Sequence, residues 1–202
     1  YLAGKLRDKG VENAVWLFTT NTSVFTSKDK YLVKPEDFNG IKIRGLEPSF
    51  NASLEALGAA PSSMSGSKVY QALATNVIDA GVTDVAAAVS RKYYEVQDHF
   101  VVVPVISVYF HGYLNPKFYA GLSDNSKAAL KSAGDAAAGW AIEASVAASA
   151  DAPGALKAKG SNVHIATDAE IKALEAVMRP AFDAKFSGND EAKKLIELIG
   201  KM

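Results

Sequence analysis

From Ser126 to about Lys159 the chain is alanine-rich, with apolar residues at helical spacing. Continuous, that stretch makes a helix on the order of 50 Å long at 1.5 Å rise per residue. Gly134, Gly139 and the Pro153-Gly154 pair are where it is expected to kink or break. Ser123-Asp124-Asn125 supplies its cap. The alanine content is that of a helix, not of a disordered segment. After it come a short strand over Asn162–Ala166 and a capping box, Thr167 with Glu170 three residues on. Ile171, Leu174 and Val177 line one face of the helix that follows, and residues 189–202 read as a last amphipathic helix.

The first half has a different rhythm. Short β-rich segments over 11–20, 24–26, 41–44, 78–82 and 100–108 alternate with helical patterns over 48–57, 67–75 and 85–97. Alternation of this kind predicts α/β units with mostly parallel strands. Pro104 marks the last of these strands as an edge or crossing strand. Residues 1–10 read as a helix stopped by Gly10, and Asn115-Pro116 opens a short helix ending at Leu122. No internal repeat and no flexible linker is present in the sequence.

Composition narrows the function classes. The chain has 202 residues, 49% of them apolar, enough for one domain or two small ones with a real core. Without cysteine there is no disulfide framework, thiolate zinc site or thiol nucleophile, which leaves an extracytoplasmic location open. Basic and acidic residues balance at 22 each, against the basic excess of a nucleic-acid binder. The longest apolar stretch, Phe100–Phe110, is interrupted by Pro104 and Ser107 and falls short of the roughly 20 residues a membrane span needs. The chain is therefore expected not to be membrane-embedded. It opens on Tyr1 without a signal-peptide pattern, and reads as a mature or truncated product.

Arg44 is the first candidate for chemistry. It closes the alternating segment Ile41-Lys42-Ile43-Arg44, and a strand end beside a loop is where open α/β sheets place ligands. A guanidinium there can grip a carboxylate with two parallel hydrogen bonds, although a surface salt bridge is the more ordinary role for such an arginine. Asp79, Thr83 and Asp84 stand after a strand, where they can bond a ligand or act as a base. For Thr83 or Asp84, capping the next helix is the simpler role. His99 reads as a helix-end residue. His111, among Tyr109, Phe110 and Tyr113, lines a pocket or sits satisfied in the core. The histidines lack metal-ligand spacing, and no metal or cofactor motif is recognisable. No nucleophile elbow, phosphate loop or triad appears either. Gly112 and Gly121 read as turn residues, and Tyr93, Tyr94, Phe118 and Tyr119 as packing.

The order of segments resembles a known family. Lys34-Pro35-Glu36-Asp37-Phe38-Asn39-Gly40-Ile41-Lys42-Ile43-Arg44 is similar to a signature of the DctP-type solute-binding proteins of TRAP (tripartite ATP-independent periplasmic) transporters. Leu57-Gly58-Ala59-Ala60-Pro61, the stretch Lys68–Asp79, Tyr94-Glu95-Val96-Gln97 and Asn115–Tyr119 resemble further blocks of that family in the same order, and the long helix follows in its place. The resemblance implies a two-lobed, periplasmic-binding-protein-like α/β fold with crossing strands and a long interlobe helix. It also implies an incomplete first lobe, since family members carry further residues before the segment matching Tyr1. Residues 1–20 and 109–148 would belong to lobe one, and 21–108 with 149–202 to lobe two.

The function implied is that of an extracytoplasmic, periplasmic receptor that delivers a small organic acid to membrane permease subunits, without cofactor, metal, nucleic acid or catalysis. Arg44 matches the family arginine that pairs with the ligand carboxylate. Thr83 falls where many members carry Asn, and the stretch Thr22–Phe25 has no counterpart of a second family arginine. The expected ligand-binding set is Arg44, Thr83, Asp84, Tyr109 and His111, with a monocarboxylate, keto acid or related organic acid as ligand. The rivals are a sensor module of a signalling system, an enzyme using Asp79, Asp84 and His111, and a folded piece that does not bind.

Overall fold

The computed structural model describes residues 2–18 and 22–199, with side chains to residue 197. In chain order the elements are α1 (Leu2–Asp8), β1 (Glu12–Phe18), β2 (Ser23–Ser27), β3 (Lys42–Gly45), α2 (Pro48–Ala56), β4 (Ala60–Ser63), α3 (Gly66–Ala74) and β5 (Ala80–Asp84). Then follow α4 (Val85–Ser90), β6 (His99–Val103), β7 (Tyr109–Leu114), α5 (Pro116–Ala120), α6 (Asp124–Ala158), β8 (Asn162–Ile165), α7 (Asp168–Ala184) and α8 (Asp190–Ile199). A further 3-10 turn lies at Pro35–Phe38 and another at Tyr93–Glu95.

Six strands form one sheet in the order β4-β3-β5-β2-β6-β8, and β1 pairs with β7 in a second, two-stranded sheet. β3 runs parallel to β4 and β5, and β6 parallel to β8, while β2 is antiparallel to both its neighbours. Five strands thus point one way and β2 alone is reversed. The mostly parallel sheet predicted from the alternation is present, but a period-2 pattern carries no direction, and β2 had to be seen.

β2 is buried along its whole length, and its neighbouring residues serve different cores. Phe25 packs with Phe38, Ile43, Leu54, Val101 and Leu174, and Val24 with Val69, Leu73, Tyr93, Phe100 and Leu156. Phe100, Val101 and Val102 alternate between the same two cores. Helices cover both faces of the sheet, which is why these strands are apolar at every position.

Several boundaries differ from expectation. α6 is one helix of 35 residues, so Gly134, Gly139 and Pro153 do not break it. Ser123 Oγ accepts the Ser126 N–H at 3.2 Å and caps its start. Its far end buries Ser149, Ala152 and Leu156 against the six-stranded sheet. Its middle crosses β1, where a Cβ on Gly134 would lie 2.5 Å from the Ala14 carbonyl oxygen. α4 stops at Ser90, short of residue 97, because Lys92 adopts a left-handed conformation with φ 57°. The strand from Phe100 ends at Val103, and residues 104–108 are irregular, Pro104 having no N–H for a ladder. β1 is half-buried rather than buried. Gly112 lies inside β7, not in a turn, where a Cβ would meet Val15 Cγ1 at 2.7 Å. His99 begins β6 rather than ending a helix, and its Nδ1 stands 3.0 Å from the Lys28 carbonyl oxygen.

Candidate functional site

The C-terminal edge of the parallel strands is also where the chain leaves the sheet. The start of β2 and the end of β6 pair there, Ser23 opposite both Asp84 and Val103. In chain order β1 precedes β2 and β7 follows β6, and β1 and β7 pair with each other in the second sheet. Arg44 and Thr83-Asp84 lie on the same edge, at the ends of β3 and β5. Ligand sites of open parallel sheets occupy such an edge.

Arg44 is only 8% exposed. Its Nη1 donates to the Val82 carbonyl at 2.8 Å and its Nε to the Met64 carbonyl at 3.4 Å. These two bonds aim the guanidinium along the sheet edge and use part of its five N–H groups. Among the described residues no carboxylate lies within 4.0 Å of it. Burial lowers its pKa, Tyr93 opposes that shift and Arg91 adds to it. An arginine nevertheless keeps its charge, so the edge carries a buried cation that no carboxylate among the described residues pairs with.

Thr83 is 4% exposed and lies within β5 rather than in a loop after it. Its Oγ1 accepts a bond from Arg91 Nη1 at 3.4 Å. Asp84 caps α4, with Oδ1 accepting from the Ala86 and Ala87 N–H groups at 2.9 and 3.3 Å. Its Oδ2 is buried without a hydrogen-bond partner. Asp84 also borders a cavity of about 350 Å³, shared with Phe18, Phe110 and Trp140. A larger cavity of about 520 Å³ lies along the 104–108 segment between α2 and α7, and holds none of the expected site residues.

Tyr109 and His111 belong to the second sheet. His111 stacks on Trp16 at 4.3 Å between ring centroids, and its Nε2 is buried without a partner. Tyr109 is 54% exposed and leans on Trp16 and Phe18 at 5.6 and 5.8 Å. Neither makes a hydrogen bond to Arg44 or Thr83. Asp79 accepts the Lys42 N–H at 2.9 Å and so ties β3 to the start of β5; the other two residues of the enzyme reading, Asp84 and His111, have no bond to it. Among the described residues no group of acids and histidines is arranged to hold a metal ion.

Sequence reasoning missed Arg91 and Gly66. Arg91 is the C-cap of α4, whose six residues rise about 9 Å, within reach of a long side chain folding back to Thr83. Gly66 starts α3, and a Cβ there would lie 2.4 Å from Arg91 Nη1. The strand-end Thr83, the short helix and the basic C-cap were legible as pieces. The glycine that admits the guanidinium comes from a distant segment.

Comparison with known proteins places the chain. Residues 2–189 match DctP, bacterial extracellular solute-binding protein family 7. The chain is 32% identical over 191 residues to the C4-dicarboxylate-binding periplasmic protein DctP of Rhodobacter capsulatus, covering 90% of this chain and 55% of that protein. It superposes with TM-score 0.88 on a TRAP periplasmic solute-binding protein from Roseobacter denitrificans solved with β-D-glucuronate, at 26% identity, covering 98% of this chain and 65% of the other. A TRAP periplasmic solute-binding protein from Desulfovibrio salexigens with bound orotic acid gives TM-score 0.90 at 20% identity, covering 99% and 65%. The chain thus spans little more than half the length of the Rhodobacter relative. The α/β architecture of these neighbours is the one expected from the sequence.

Proposed function

Because the chain belongs to the DctP family of bacterial extracellular solute-binding proteins, we propose that it is a receptor for a small organic anion and makes or breaks no bond. The observation that carries this reading is Arg44: a cation buried at the C-terminal edge of the sheet, held by two carbonyls, with no protein carboxylate to neutralise it. A buried charge without a counter-ion is costly, and an incoming carboxylate removes that cost. The ligand's carboxylate would sit on the free side of the guanidinium, within reach of Thr83. Residues 21–108 with 149–202 form the lobe that carries Arg44, and residues 1–20 with 109–148 contribute to the opposing lobe. Tyr109, His111 and Asp84 then border the space between the two. Named relatives that bind C4-dicarboxylates, ectoine or sialic acid support an extracytoplasmic, periplasmic receptor serving TRAP permease subunits. Among the described residues no helix is long and apolar enough to cross a membrane, consistent with separate subunits doing so.

Charge-assisted hydrogen bonds contribute about 1.5–3 kcal/mol each, and 1.4 kcal/mol is a factor of ten. Titration calorimetry of the protein with a panel of organic acids should therefore show Arg44→Ala weakening the bound acid at least tenfold. Far-UV circular dichroism would establish that the variant is folded. An unchanged dissociation constant in a folded Arg44→Ala protein removes the assignment.

A further inference from the structure

The cavity where α4, α6 and the small sheet meet combines a carboxylate with aromatic walls. It measures about 350 Å³, and Asp84 lines it together with Phe18, Phe110 and Trp140. Apart from Ser145, the rest of its lining is Leu17 and alanines of α4 and α6. The Asp84 carboxylate is used through one oxygen only. Oδ1 accepts the Ala86 and Ala87 N–H groups, whereas Oδ2 is buried with no hydrogen-bond partner. Asp84 offsets one of the edge guanidiniums in net charge without bonding either. Among the described residues no lysine or arginine nitrogen lies within 4.0 Å of it. Arg44 is turned to the Val82 and Met64 carbonyls, and Arg91 to the Thr83 hydroxyl.

A buried carboxylate oxygen without a donor is costly. The group that relieves it brings an N–H, and a positive charge on that group strengthens the bond. The walls favour the same charge. Ring faces attract a cation through their quadrupole, tryptophan most of all. Trp140 and Phe110 are both exposed, and among the described residues no other ring stacks on either. An apolar or anionic group in this cavity would leave Oδ2 unpaired. The cavity also lies on the same side of the six-stranded sheet as Arg44. Ile43 and Val82 belong to the core shared with α2 and α7, so the next residues along their strands, Arg44 and Thr83, face the other side. α4 and α6 cover that side, with Val85, Ala88, Ala152 and Leu156 in the second core. A ligand held by its carboxylate on Arg44 therefore extends toward the cavity without crossing the sheet.

Resting on the receptor reading above, we propose that Asp84 and the rings of Phe18, Phe110 and Trp140 form a subsite for an ammonium group, so that the protein selects acids carrying a primary ammonium at the end remote from their carboxylate. The single carboxylate expected from the sequence is kept, and Asp84 gains a partner for its second oxygen.

The test pairs each ω-amino acid with the alkanoate that has a methyl group in place of the ammonium: β-alanine with butyrate, 4-aminobutyrate with pentanoate, 5-aminopentanoate with hexanoate, by titration calorimetry. The three chain lengths sample the span from Arg44 to the cavity. The expected result is at least a tenfold preference for one amino acid over its methyl counterpart. Asp84→Asn keeps an oxygen for the α4 amides and removes the charge, so it should bring the two members of that pair within about twofold of each other. Trp140→Leu, at an exposed position, should cut the preference at least threefold and serves if Asp84→Asn does not fold. Arg44→Ala should weaken both members of the pair. If no amino acid is preferred, or the preference survives Asp84→Asn (Trp140→Leu where that variant does not fold), the ammonium subsite is wrong, and the receptor reading stands as long as the alkanoates bind through Arg44. If neither member of any pair binds, this proposal falls, and the wider panel of organic acids decides the receptor reading separately. If the acids bind but Arg44→Ala changes nothing, the receptor reading falls and takes this proposal with it.

Discussion

Glu170 shows how much one side chain can organise. Its Oε2 accepts the Thr167 N–H at 2.7 Å, the Thr167 hydroxyl at 3.0 Å and lies 2.8 Å from His164 Nε2. The backbone bond from Thr167 first, and the His164 bond second, hold its carboxyl at about 2, below the ordinary 4.5. A carboxyl depressed in the folded state stabilises the fold above its unfolded value, and that contribution is lost as pH falls from about 4.5 to about 2. Glu170→Gln should flatten the fall in melting temperature across that window, measured by scanning calorimetry at stepped pH. An unchanged acid limb would assign the loss to other carboxylates. The capping box was legible because its partners are three residues apart. Arg91 was not, because Thr83 and Gly66 reach it through folding rather than through spacing, and a basic residue at a helix end has an ordinary explanation.

Most element types were legible from apolar periodicity, whereas what stops an element was often tertiary. Gly134 and Pro153 look like breakers in sequence, yet α6 runs through both. At Gly134 the missing side chain lets the helix settle on β1, with the Ala14 carbonyl where a methyl would go. Alanine there would raise intrinsic helix propensity by up to about 1 kcal/mol. The 2.5 Å clash is with backbone, which cannot swing aside, and overpacking of this kind costs about 1–3 kcal/mol. Gly134→Ala should therefore lower the melting temperature, whereas Gly139→Ala, with nothing within 4 Å of its Cβ position, should raise or preserve it. Equal responses of the two variants in thermal unfolding would contradict the close packing of α6 on β1. The reversal of β2 left no trace in the sequence because a strand alternates identically in either direction.

For the whole molecule, the six-stranded sheet is covered on both faces, while the small sheet and the middle of α6 are not. Phe18, Phe110, Tyr113, Phe118, Trp140 and Val146 are all exposed, Trp140 by 70%. So much apolar surface in one region is a binding face for protein or an aggregation liability. The 202-residue chain on its own should enhance the fluorescence of 1-anilinonaphthalene-8-sulfonate, and Trp140→Lys with Phe110→Ser should reduce the signal while the melting temperature holds. A dye signal indifferent to both substitutions would place the exposed surface elsewhere. One further property follows from the proline near the end of α6. Pro153 offers no N–H to the carbonyl four residues back, so the helix is softest there. It sits beside Ala152 and Leu156, which are fixed in the core of the large sheet, whereas Gly134 rides on the small one. The rod between Gly134 and Pro153 is about 28 Å long, so a bend of about 10° at its anchored end would sweep the small sheet through ~5 Å. Pro153 thus sets where α6 bends most easily, and Gly134 where it bears on the small sheet.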